Sequence, residues 1–97
     1  MYIVILSYTQ PLAEVDRHVP AHREFLDRCY AAGQLIASGP QEPRTGGIFV
    51  FRGMPEERLL SLLSEDPFKR AGVAEYRAIR FTPTKHVPQI AGLLEAD

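Results

Sequence analysis

The residues of this 97-residue chain with the most chemical reach are three histidines, one cysteine and a cation set in a glycine- and proline-rich stretch. Imidazole has an ordinary pKa of about 6.5, so a histidine such as His22, in "PAHREFL", can take and return a proton near neutrality. The plain alternative is a half-exposed surface side chain. His18 and His22 stand at i, i+4, a spacing able to set two imidazoles on one metal. Pro20 argues against that use, because it leaves His18 ahead of the first helical turn, and no third ligand stands at a telling distance. No metal site is therefore expected. His86 follows Pro83 in a polar tail and reads as solvated, while Cys29 lies on the apolar side of a helix with nothing nearby to activate its thiol.

The second place with chemical potential is "SGPQEPRTGG", Ser38 to Gly47, between two apolar runs where a hairpin needs only two residues. Gly39 would let the backbone approach a ligand, and Pro40 and Pro43 would stiffen the loop before binding. Arg44 is its only cation and could clamp a carboxylate or phenolate, with Ser38 and Gln41 supplying neutral hydrogen bonds. Alternatively the loop packs on the sheet edge or on a partner subunit, with Arg44 solvated.

The elements that must position these groups follow from periodicity and punctuation. Met1 to Tyr8, rich in Ile, Val and Tyr, predicts a first strand. "EVDRHVPAHREFLDRCYAAG" predicts an amphipathic helix with Pro20 in its first turn and Gly33 as its stop. Gln34 to Ser38 and Gly47 to Arg52 predict strands two and three. A second helix starts at "MPEE", with Leu59, Leu60, Leu62 and Leu63 as its buried face, and Asp66-Pro67 interrupts it. Aspartate there serves as a turn residue or as the cap of the short turn "PFKRAG". Alternation in "VAEYRAIRF" predicts a fourth strand with Ala74, Tyr76, Ala78 and Arg80 on one face; Tyr8 and Tyr76 could line a pocket, though strand aromatics usually pack. The order β-α-β-β-α-β fits an α+β, ferredoxin-like fold: an antiparallel sheet with both helices on one face. The other face then needs a cover, either a second subunit's sheet or the tail from Thr82 to Asp97, whose end "QIAGLLEAD" forms a short helix or frays.

Composition bounds the rest. At 45% hydrophobic and 24% charged residues the chain reads as one globular domain, small enough for a partner subunit to add useful burial. Eleven Lys plus Arg against twelve Asp plus Glu give no electrostatic footprint for nucleic acid or an anionic membrane. One cysteine excludes an internal disulfide and a multi-cysteine zinc site, and suits a reducing cytoplasm. The N-terminal "MYIVILSYTQ" reads as a strand, not a leader, and no run is long enough to span a bilayer.

Three pieces in order, "PAHREFL", "LIASGPQEPRTGG" and "DPFKRAGVAEY", resemble the YCII-related (YciI-like) family over about residues 1 to 82, leaving 83 to 97 as a C-terminal tail. The resemblance implies a dimeric α/β barrel of ferredoxin-like subunits and an active site centred on a histidine and an aspartate, here His22 and Asp66. Many members carry an arginine three positions before the histidine, where this chain has Val19, with Arg17 and Arg23 nearby. One branch contains a dehydrochlorinase acting on chlorinated hydroxyquinol-type aromatics.

Two function classes follow. One is an enzyme without organic cofactor, in which His22, oriented by Asp66, moves protons on a small anionic or phenolic molecule: isomerisation, proton transfer or elimination. The other is a module that holds a metabolite in the same cleft without turnover. A blander third reading is an oligomerisation domain with a filled interior. No G-x-G-x-x-G or P-loop is present, which argues against dinucleotides and nucleotide hydrolysis.

Overall fold

The structure, a computed structural model, describes residues 1–94. Four strands, β1 (Tyr2–Tyr8), β2 (Leu35–Pro40), β3 (Gly46–Phe51) and β4 (Ala74–Arg80), form one sheet in the order β2-β3-β1-β4, and every neighbouring pair is antiparallel. This is the split βαβ arrangement expected from the element order. Period-2 alternation divides the central strand cleanly. Tyr2, Val4 and Leu6 are buried under the helices, whereas Ile3 and Ile5 lie half-covered on the opposite face.

Helix α2 (Val19–Ala31) buries Phe25 and Cys29 against that sheet, and α3 (Glu56–Leu63) buries Leu59 and Leu63. Phe49 and Phe51 of β3 and Val73 complete the core. Leu60 departs from the expected buried face and is 52% exposed, because its helix is only two turns long and Leu59 and Leu63, at i, i+4, suffice to meet the sheet. Helix α2 stops where Gly33 takes φ of +71°: the Gly33 and Gln34 N–H groups return to the carbonyls of Tyr30 and Cys29, satisfying the last turn. The expected first helix is broken in two: its opening residues Glu14 to Asp16 belong to a separate short helix, α1 (Leu12–Asp16), which buries Val15 and ends before α2 begins.

The long loop between strands two and three is shorter than expected. Strand β2 continues through Ser38, Gly39 and Pro40, and β3 begins at Gly46, so only Gln41 to Thr45 remain as connection. Gly46 explains the second boundary: a Cβ there would lie 1.8 Å from the Leu6 carbonyl oxygen, so only glycine permits β1 and β3 to pair at that point. Beyond β4 the chain runs past Pro83 into a 3₁₀ helix over Pro88–Leu93. Arg52, just after β3, donates to the carbonyls of Gly33, Gly92 and Leu93 and so ties this segment to the end of α2. The last three residues of the expected tail helix lie outside the described residues. Ile79 and Phe81 stay about 40% exposed, so the described part of the tail leaves them uncovered. Among the described residues no helix is long and apolar enough to cross a membrane.

Candidate functional site

Asp66 is fully buried, the sole buried charged side chain among the described residues. It sits between α3 and the four-residue helix α4 (Pro67–Arg70), where its Oδ1 accepts the Phe68 N–H at 3.0 Å and caps that turn. The same oxygen lies 2.8 Å from Nδ1 of His22, one turn into α2. Its other oxygen, Oδ2, accepts from the Tyr76 hydroxyl at 2.5 Å. Three donors thus converge on one carboxylate, and capping and orienting a histidine are carried out together. Burial first, then the adjacent Asp66 charge and the bond to it, push the Tyr76 phenol well above its ordinary range, so it remains a donor.

The His22 ring is held on its faces as well as its edge. Phe68 stacks on it at 3.9 Å between centroids and 5° between planes, and Phe49 lies at 5.9 Å. Only 12% of the side chain is exposed. With Nδ1–H given to an accepting carboxylate, Nε2 is left as the free acceptor. His22 borders a cleft of about 470 Å³ between the start of α2 and the Leu6–Tyr8 end of the sheet. Apolar side chains, among them Leu6, Val19, Leu26 and Phe49, supply most of its wall.

The residues expected to bind a ligand divide into two sets. Ser38, Gly39 and Arg44 line the cleft. Ser38 shares a 2.8 Å hydrogen bond with Tyr30, and Gly39 has open space where a Cβ would stand. Gln41 does not line it. Its backbone N–H donates to the Gly46 carbonyl and its side chain lies against Gly46 and Thr45, so its role is to close the five-residue turn. Arg44 is not a free clamp: its guanidinium donates to Asp16 at the end of α1 at 2.6 Å and lies over the Tyr8 ring, and the Asp16 carboxylate holds its proton more firmly still. The break between α1 and α2, which turns Asp16 toward this connection, carries no local signal in the sequence.

Cys29 is buried under α2, with its thiol pushed up to about 11, by desolvation above all and then by the Asp66 charge. It is a core hydrophobe, as its position on the helix suggests. His18 Nε2 lies 3.6 Å from Glu14.

With the dyad, its cap and the cleft in place, the likeness to known proteins is informative. Residues 1–82 match the YCII-related domain. The chain belongs to the YCII-related family. An uncharacterised protein of Bacillus subtilis (strain 168), YjpA, is 31% identical over 74 residues, covering 76% of this chain and 85% of that one. Among solved structures, the 5-chloro-2-hydroxyhydroquinone dehydrochlorinase TftG of Burkholderia phenoliruptrix AC1100, in complex with 2,5-dihydroxybenzoquinone, superposes with a TM-score of 0.68 at 21% identity. That match covers 92% of this chain and 98% of the other, and it establishes the shared fold.

Proposed function

We propose that this YCII-related protein is a small-molecule enzyme that uses no organic cofactor, with His22 as general acid and base and Asp66 as the group that fixes its tautomer. The observation that carries the reading is the 2.8 Å contact between Nδ1 of His22 and a fully buried carboxylate, made by a ring that borders an open cleft. Locking Nδ1–H onto Asp66 leaves Nε2 to take a proton from a bound molecule, and the carboxylate stabilises the imidazolium that results. The electron pair released moves to a neighbouring carbon, in an isomerisation, or expels a leaving group such as halide, in an elimination. Imidazolium then returns its proton to product or to water. The kinship in fold with a dehydrochlorinase favours phenols, quinols and keto acids as the molecules to try first.

The same reading takes a second copy of the chain as the cover of the outer sheet face, where Ile79 and Phe81 remain exposed; light scattering at varied concentration measures this directly. A reducing, cytoplasmic setting suits its lone Cys29.

The test is a screen of those compounds against the native chain and His22→Ala. Loss of about 10²–10⁴ in rate, with fold and ligand affinity retained, is the outcome expected of a general base. A change in affinity alone, with no turnover by the native chain, would replace this reading with a metabolite-binding module.

A further inference from the structure

The cleft carries four side chains able to bear charge: Asp16, His22, Arg23 and Arg44. Two of them cancel. Arg44 and Asp16 form a 2.6 Å ion pair, so the guanidinium already holds a carboxylate in the position a ligand's carboxylate would take. Arg23 differs from it. It follows His22 directly in α2, is exposed, lines the same cleft, and among the described residues has no ion-pair, hydrogen-bond or ring partner. Among the residues that line the cleft Arg23 is therefore the one cation left unpaired, while the Asp66 carboxylate stands behind the His22 ring, fully buried and engaged by its own donors.

We infer that the cleft selects a small monoanion with an apolar body, that Arg23 is the cation that reads its charge, and that Asp16 masks Arg44 against a second anionic group. This deepens the acid–base reading and rests on its choice of site, but it concerns ground-state binding and makes no use of turnover. A monoanion gains a charge-assisted contact with Arg23 while its body covers Val19, Pro20 and Leu26. A dianion has to compete with Asp16 for Arg44, and a neutral isostere leaves Arg23 with water.

The experiment is an amide-resolved NMR titration of the full chain with benzoate, its neutral isostere benzamide, and the dianion phthalate. Benzoate is expected to move the Gly39 and Gly47 amides, which line the cleft, and to bind about tenfold more tightly than benzamide, the scale of one charge-assisted contact. Arg23→Gln should weaken benzoate by about the same tenfold. The double variant Asp16→Asn/Arg44→Gln, which removes a neutral pair, should stay within about twofold of the native chain. Asp16→Asn alone unmasks Arg44 and should tighten phthalate.

Equal binding of benzoate and benzamide overturns the inference. So does a double variant that loses as much as Arg23→Gln, or the absence of any benzoate shift at the cleft amides up to the solubility limit. Because no turnover is read, the two ideas fail separately. Benzoate binding through Arg23 in a chain whose chemistry ignores His22→Ala sinks the acid–base reading alone. Catalysis that needs His22 but does not discriminate by ligand charge sinks this one alone.

Discussion

Replacing Asp66 by alanine and by asparagine separates its roles by magnitude. The carboxylate accepts from the Phe68 N–H, His22 Nδ1 and the Tyr76 hydroxyl while fully shielded from water. Alanine removes both acceptor oxygens and leaves all three donors without their partner. Loss of the cap on α4 costs about 1 kcal/mol, and each of the His22 and Tyr76 donors left without a partner adds about 1–3 kcal/mol. Relief from burying an ion offsets on the order of 1 kcal/mol. The net expectation for Asp66→Ala is a loss of about 2–6 kcal/mol, a large share of the roughly 5–15 kcal/mol that holds a domain folded.

Asparagine keeps one oxygen for the Phe68 N–H and His22 Nδ1–H, and its amide can donate to a Tyr76 oxygen whose hydroxyl has turned away. Asp66→Asn should therefore cost only about 1–2 kcal/mol, mainly the charge assistance. Urea unfolding at neutral pH measures both, and nitrogen chemical shifts of the His22 ring report the tautomer alongside. The Nδ1–H form should persist in Asp66→Asn and be lost in Asp66→Ala. If both variants unfold within about 0.5 kcal/mol of the native chain, the size of a neutral surface substitution, the carboxylate does not organise this site.

Tyr76→Phe keeps the ring and removes the donor to Oδ2; it should cost about 1 kcal/mol and leave the His22 tautomer unchanged, read by the same shifts. Gly46→Ala drives a Cβ against the Leu6 carbonyl and should destabilise by on the order of 3 kcal/mol, whereas Gly39→Ala, facing open space, should be nearly silent in thermal unfolding. The Cys29 thiol titrates higher in the folded chain, so the native state binds more protons at alkaline pH. Its contribution is complete below pH 9.0 and drains away as pH rises through about 11. Tyr76 acts in the same direction, and chemical unfolding across that range should show stability falling.

The strand and helix order was legible because it rests on local signals: a run of β-formers in β1, alternation in β4, Pro20 and Pro55 near helix starts, and Gly33 as a stop. His22 and Asp66 could be nominated from the family's motifs, but their contact spans 44 residues and no periodicity encodes it. Tyr76 was assigned to packing because strand aromatics usually pack, and its hydroxyl partner becomes visible only once β4 is laid beside the start of α4. The signal available was its place on the same strand face as Ala74, toward the helices. The ion pair of Arg44 was illegible for a related reason. Asp16 and Arg44 stand 28 residues apart, and only three-dimensional placement shows which of several surface arginines is neutralised.

Arg52 stands at the far end of the sheet from His22, where one guanidinium fastens Gly92 and Leu93 to the end of α2. One guanidinium, with the half-buried Ile90 and Leu93 beside it, thus forms a seam between the part of the chain that shapes the cleft and the segment that follows it. Shortening the chain after residue 82 is expected to free the Arg52 guanidinium and uncover the surface beneath Ile90 and Leu93 at that end, with the residues around His22, Asp66 and Arg23 untouched by any of these contacts.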